Sequence, residues 1–185
     1  MFYLFLLSAF ANPPTNYPPL AHIVWPSCAS NQYMVPHGNM GHIVRYTYCS
    51  SQGFIGTKTM HNYLLEASYK IFMFIDTLGL IDRTCRGNLN LEVYEIDTAT
   101  LNDHTLFTRW QAANPSVQSI WALYDPRTEE VNVSSLMITH HGNWDRLNVA
   151  HEMAHYWFDR LCMRSQYNQS TEDFAKSFET YFLQN

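Results

Sequence analysis

Apolar positions recur at helical spacing in two long parts of the chain. Over residues 58–80 they return every three or four positions, and Gly79 is placed to end the helix; the members are Tyr63, Leu64, Ala67, Ile71, Phe72, Phe74, Ile75 and Leu78. A second run follows Asn143 or Asp145, either of which can cap it; its members are Leu147, Val149, Ala150, Met153, Ala154, Trp157, Phe158 and Leu161. The pattern predicts a long packing helix and a later, largely apolar helix.

Strand-forming residues lie between these two helices. After Gly87 come Leu89, Leu91, Val93 and Tyr94, which predict a strand. Residues 119–124 and 130–134 flank the turn sequence Asp-Pro-Arg-Thr at 125–128 and predict a hairpin. The polar residues 97–114 between them fit either a loop or a partial helix.

Residues 12–57 are rich in proline, tyrosine and serine. Two short apolar runs, at residues 22–25 and 42–45, predict short strands bounded by Pro26, Pro36, Gly38 and Gly41. We interpret His22, His37 and His42 as surface or loop residues. This segment is therefore predicted to be irregular with short strands, packed on the domain formed by residues 58–185.

The order of helix, strand, hairpin, helix and helix is an α+β order. A small mixed sheet lying on the first long helix and on the second would bury one face of each. At 185 residues the chain has the length of one domain.

The first eleven residues form an apolar run that ends in Ala9-Phe10-Ala11, a sequence typical of a signal-peptide cleavage site. We interpret residues 1–11 as a signal peptide and expect a secreted, extracellular or periplasmic protein that is free of the membrane after cleavage. Four cysteines fit two disulfide bonds in such a compartment. Three connectivities are possible, and we favour Cys28 with Cys49, which bracket a local unit, and Cys85 with Cys162.

Charge excludes one class of partner. The formal net charge is -5, with eleven lysines and arginines and no basic cluster, which argues against nucleic-acid binding. Oligomeric state has no signal in the sequence.

The second helix carries His151, Glu152 and His155 in the order His-Glu-x-x-His. Residues four apart on a helix lie on one face, so both imidazoles can bind one cation, and zinc prefers such ligands. Glu152 then lies beside the open side of the metal and can accept a proton from bound water. The alternative is a pair of core histidines that hydrogen-bond to neighbours.

With these residues in place, the chain resembles the zincin metallopeptidases. The sequence from Glu172 to Phe178 is similar to the ligand helix of the anthrax-lethal-factor-like gluzincins, in which the first glutamate binds the metal. The resemblance covers residues 119–182. It implies a minimal zincin-like domain with an active-site helix, a C-terminal ligand helix and one Zn²⁺ held by His151, His155 and Glu172.

Comparison with other branches of the zincins limits which residues can be the third ligand or orient a ligand. Metzincins carry a glycine and a third ligand where this chain has Phe158 and Leu161, so that branch is excluded. Asp159 lies about 12 Å along the helix axis from His151, too far to share the zinc. Thermolysin-like enzymes carry an orienting aspartate where this chain has Lys176. The candidates for the group that orients a zinc-binding histidine are Asp159, Asp173 and Glu179.

The resemblance also implies an oxyanion donor upstream of the ligand helix. Tyr167 is the first candidate, and His140 and His141 are the runners-up. The edge of the hairpin near residues 120–124 could accept an extended peptide.

We therefore predict a secreted zinc endopeptidase that acts on a peptide or protein substrate, with Glu152 as general base. Two alternatives stay open. One is a zincin-fold binding protein without turnover, and the other is a zinc hydrolase of a non-peptide amide.

Overall fold

The computed structural model describes residues 27–37, 40–50, 53–80, 89–96, 108, 111–112, 115, 121–134 and 143–185. The predicted signal peptide, most of residues 97–114, and Cys85, His140 and His141 lie outside them. The elements in chain order are β1 (Ser27–His37), β2 (Met40–Ser50), α1 (Gly53–Thr77), β3 (Leu89–Ile96), β4 (Ala122–Asp125), β5 (Glu130–Ser134), α2 (Asn143–Arg160), a 3-10 turn (Met163–Ser165) and α3 (Thr171–Gln184). This is the predicted mixed α+β fold.

The five described strands form one mixed sheet in the order β1-β2-β3-β5-β4. β1 and β2 are antiparallel, β2 pairs with β3 in parallel, β3 pairs with β5 in parallel, and β4 and β5 form an antiparallel hairpin. Since parallel neighbours need a crossover connection, α1 serves as the crossover from β2 to β3. β1 and β4 are the two end strands of the described sheet, and β4 overlaps the predicted peptide-binding edge.

The predicted strand at residues 22–25 lies outside the described residues, and the prediction of a short strand at residues 42–45 is wrong in length and in bounds. β1 and β2 are eleven residues each and pair along their whole length, with Pro36 opposite Gly41. Pro36 is compatible with the strand because β1 lies at the edge of the sheet, where a missing backbone N–H is tolerated. Residues 27–37 and 40–50 of the N-terminal segment are thus part of the sheet.

One face of the sheet packs against the helices. The strand register places six fully buried side chains together on this face; they are Val44, Tyr46, Leu91, Val93, Val131 and Val133. α1 begins five residues before the predicted start and ends as expected, with Gly79 in the left-handed region at φ 64°. Its predicted apolar face is buried except at Leu78, which lies beyond the last helical residue and is 37% exposed.

Aromatic side chains join the three helices. Phe72 of α1 meets Trp157 of α2 edge to face, and Phe74 of α1 packs against Phe174 and Phe178 of α3. All eight predicted apolar positions of the α2 region are buried. Arg160 at the end of α2 pairs with Glu129 in the turn between β4 and β5. These contacts fix α2 between α3 and the hairpin.

Cys49 and Cys162, the two cysteines whose side chains the structure describes, are disulfide-bonded. In the register of β1 and β2, Cys28 lies directly opposite Cys49. The side chain of Cys28 and the whole of Cys85 lie outside the described residues, so the complete pairing stays a prediction. Within the described part of the chain, no helix is both long and apolar enough to cross a membrane.

Candidate metal centre

α2 brings His151 and His155 together on one buried face. Their Nε2 atoms are 3.1 Å apart, and the side chains are 1% and 6% exposed. The two imidazoles meet nearly edge to face, with ring centroids 4.9 Å apart. This arrangement follows from the four-residue spacing on a helix, as the sequence predicts.

α3 supplies the third group, Glu172. Its Oε2 atom lies 3.6 Å from Nε2 of His151 and 3.4 Å from Nε2 of His155. The helix begins immediately before it, because Ser170 and Asp173 form a reciprocal capping box that fixes the first turn. The site thus joins two helices, because Glu172 lies on α3 and the two histidines lie on α2.

The three atoms have the spacing that one zinc ion requires. Zinc bonds to nitrogen and oxygen are about 2.0–2.1 Å, and at a tetrahedral angle the ligand atoms are then about 3.3 Å apart. The three distances here are 3.1, 3.4 and 3.6 Å. Glu172 is 3% exposed, and neither of its carboxylate oxygens accepts a hydrogen bond among the described residues, although Nζ of Lys176 forms an ion pair with Oε1 at 3.1 Å. The oxygen that faces the histidines, Oε2, is therefore buried without a hydrogen bond from a described residue, which fits a metal ligand.

The second ring nitrogen of each histidine has its own partner on α3. Nδ1 of His151 lies 2.8 Å from Oε1 of Glu179, and Nδ1 of His155 lies 2.9 Å from Oγ1 of Thr171. When Nδ1 of a neutral imidazole donates to one of these oxygens, its Nε2 is unprotonated and available to a metal. Glu179 was one of three predicted candidates, whereas no spacing rule in the sequence indicates Thr171.

Glu152 lies next to this group and is held by the hairpin. The backbone N–H of Tyr124 in β4 donates to Glu152 Oε2 at 2.7 Å. The other oxygen, Oε1, is buried without a hydrogen-bond partner among the described residues, and the side chain is 2% exposed. One oxygen is therefore fixed and the other has its lone pairs available. The role of the Tyr124 N–H was missed, because a backbone donor has no sequence signal.

Three carboxylates surround two imidazoles, and this charge imbalance sets the protonation of the metal-free cluster. Burial by itself lowers the pKa of His151, but the neighbouring carboxylates of Glu172, Glu179 and Glu152 outweigh it and raise that pKa to about 10. Burial works to raise the pKa of Glu172, and the two histidines lower it far below its usual range. Burial raises the pKa of Glu152. Without metal, a proton on His151 supplies the positive charge that a divalent cation would bring.

A pH dependence of stability follows for the metal-free protein. The folded state keeps the His151 proton up to a pKa of about 10, whereas the unfolded state releases it near 6.5. This contribution is fully present below pH 6.5 and is lost as the pH rises towards about 10. We expect the unfolding free energy in chelator to fall over that interval. Urea titrations of the wild type and of His151→Gln will measure it, and the variant should lose this part of the slope. Equal slopes in the two proteins would contradict the prediction.

The structure does not bring Tyr167 to the ligand group. Its hydroxyl lies 3.3 Å from Gln169 Oε1 and 3.4 Å from Ser177 Oγ, and its ring packs on Phe158 and Phe174. Ser177 and Phe174 lie about 140–160° around α3 from Glu172, given 3.6 residues per turn. Tyr167 therefore packs on the side of α3 that faces away from the ligand.

Asp159 and Asp173, the other two candidates for orienting a histidine, contact different residues. Oδ1 of Asp159 lies 3.4 Å from a guanidinium nitrogen of Arg164, and Oδ2 of Asp173 accepts a hydrogen bond from the Ser170 hydroxyl in the capping box. The runner-up oxyanion donors, His140 and His141, lie outside the described residues. Of the predicted site residues, the structure thus brings together His151, Glu152, His155, Glu172 and Glu179.

No protein-family model, curated protein or solved structure matches this chain. The geometry of this site and the resemblance of its motif are therefore the grounds on which a function is inferred.

Proposed function

We propose that this protein is an exported zinc metallopeptidase with a zincin-like fold of gluzincin type. The observation that carries the proposal is the buried triangle of His151 Nε2, His155 Nε2 and Glu172 Oε2, with Glu152 beside it. Two nitrogens and one carboxylate oxygen form the ligand set of a catalytic zinc site, which keeps a fourth position open.

The bound zinc would lower the pKa of a coordinated water towards about 7 and polarise the substrate carbonyl. The protein's own residues supply the rest. Glu152 accepts a proton from the attacking water at Oε1 and passes it to the nitrogen of the leaving amine. Tyr124, through its backbone N–H, holds Oε2 so that Glu152 keeps one orientation through both transfers.

The choice of a catalytic over a structural site rests on Glu152. A buried carboxylate that is not a ligand costs free energy, because burial disfavours its charged form. A metal site that only stabilised the fold would function with any apolar residue at this position. The raised pKa and the free Oε1 atom are the properties expected of a general base.

The Glu152 contact brings β4, an end strand of the described sheet, next to the site. A peptide can pair with an open sheet edge through its main chain. All four residues of β4 are buried, so this strand does not decide between a peptide and a non-peptide amide. The resemblance of the motif to the zincin peptidases is what favours a peptide substrate.

The test is cleavage of a peptide library by the zinc-loaded full-length chain, read by mass spectrometry. We expect cleavage that a chelator abolishes and that added zinc restores. A protein that binds one zinc ion and cleaves no peptide would overturn the peptidase proposal in favour of a binding protein or a hydrolase of another amide.

A further inference from the structure

The two carboxylate oxygens of Glu172 have different neighbours. Oε2 faces the histidine nitrogens, whereas Oε1 lies 3.1 Å from Nζ of Lys176, one helical turn further along α3. Glu172 is buried, and the Lys176 side chain is 41% exposed. The ammonium group thus reaches from the surface to the outer oxygen of the buried ligand.

We propose that Lys176 is a positioning residue that keeps Glu172 a one-oxygen ligand of the metal. This inference rests on the zinc site proposed above and adds a role for a residue outside the ligand set.

The metal and the Lys176 ammonium group compete for Oε1 of Glu172, and this competition is the physical reason. A carboxylate can bind a metal through one oxygen or through both. Binding through both would fill the coordination position that a catalytic zinc site leaves open. Among the described residues Oε1 accepts no hydrogen bond, and the nearby ammonium group compensates its charge. Removing that charge leaves Oε1 buried with the metal as its most favourable partner.

The other two ligands are oriented by different groups. Glu179 holds His151 and Thr171 holds His155, and both residues belong to α3, the helix that carries Lys176. Each ligand therefore has one orienting side chain on this helix. Loss of Lys176 should change the binding mode of Glu172 and leave both histidines in place.

The experiment compares the full-length wild type with Lys176→Met, Lys176→Gln and Lys176→Arg. Arg164→Gln is the matched control, because it also removes one positive charge and its side chain is 77% exposed away from the ligands. Zinc X-ray absorption gives the number of light-atom neighbours and their mean distance. The visible absorption of the cobalt(II)-substituted protein reports coordination number independently, since four-coordinate cobalt absorbs more strongly than five-coordinate cobalt.

We expect four-coordinate metal in the wild type, in Lys176→Arg and in Arg164→Gln. Lys176→Met and Lys176→Gln should gain a neighbour, lengthen the mean metal–ligand distance and lose cobalt absorption. A lysine that only stabilised α3 through an i,i+4 pair would change the melting temperature slightly and leave both spectra unchanged. Unchanged spectra in both neutral variants, with zinc bound to the wild type, would overturn this inference alone. A wild type that binds no zinc would overturn the metal site and, with it, this inference.

Discussion

Replacing Glu152 with glutamine is expected to lower kcat/KM for peptide cleavage by about 10²–10⁴-fold, the usual contribution of a general acid-base group. Zinc content should stay that of the wild type, because Glu152 is not one of the three converging ligands. Steady-state kinetics on the best peptide of the library, with metal analysis of the same samples, will measure both.

Glu152→Gln removes the proposed base and keeps the shape and the main hydrogen bond of the side chain. Glutamine has the shape of glutamate, so its amide oxygen can still accept the Tyr124 N–H. The lost property is the basic lone pair at the position of Oε1. Because burial disfavours the charged form of Glu152, a neutral side chain should not lower stability. A loss of activity with an unchanged melting temperature would therefore report the base and not the fold.

Glu66→Gln is the matched control for this experiment. Glu66 lies on α1 and pairs with Lys70 and Arg146 away from the ligands. Its substitution removes one carboxylate without touching the site, and kcat/KM should stay at the wild-type value. Wild-type activity in Glu152→Gln would refute the proposed mechanism, whatever the zinc content.

The second large effect is expected from Glu172→Ala. Removal of an outer partner of a metal ligand costs about 10–100-fold in affinity, and loss of a ligand itself should raise the zinc Kd by more than about 100-fold. Competition with a chromophoric chelator will measure the Kd.

The same variant should lose the stabilisation that zinc gives. At a free zinc concentration about 1,000 times the wild-type Kd, the wild type gains about 4 kcal/mol of unfolding free energy. With a Kd raised 100-fold, Glu172→Ala gains only about 1.4 kcal/mol at the same zinc concentration. Denaturant unfolding with and without zinc gives both values and does not depend on activity.

Glu179→Gln provides the graded comparison. Its carboxylate touches Nδ1 of His151 and not the converging atoms, so its loss should weaken zinc binding by about 10–100-fold, less than the loss of Glu172. Glu66→Gln should leave the Kd unchanged. Wild-type zinc affinity in Glu172→Ala would show that the third ligand has been assigned wrongly. A larger loss in Glu179→Gln than in Glu172→Ala would exchange the roles of the two residues.

Local periodicity was sufficient to predict several elements. The apolar positions of α1 and α2 were identified because helical spacing alone decides which side chains share a face. The β4–β5 hairpin followed from the turn residues at 125–128. The length of β1 and β2 was not predicted, because Pro36 and Gly41 signal strand ends locally. Their pairing partners, and the edge position of β1, override that signal.

In the candidate site, too, local patterns predict some residues and tertiary packing decides the others. His151, Glu152 and His155 follow from a motif within one helical turn and a half, and Glu172 from a resemblance to a known ligand helix. Tyr167 is predicted from its place in the sequence, but its ring packs on Phe158 of α2 and on Phe174, which lies on the side of α3 opposite Glu172. Proximity in the chain could not decide which side of α3 a loop residue would reach.

The sequence by itself determined the chemistry that is available: two imidazoles and a carboxylate base on one helix, and a second carboxylate on a later helix. Only the tertiary structure decided how these groups meet. In the folded chain, Glu172 Oε2 lies near both Nε2 atoms, and the outer oxygen of Glu172 lies near Lys176. Glu179 and Thr171 contact the Nδ1 atoms of the two histidines. The backbone N–H of Tyr124 donates to Glu152. The reason is that side-chain spacing along one helix is a local property. The approach of α3 and β4 to α2 depends on packing between residues far apart in the chain, for which a single sequence has no periodic signal.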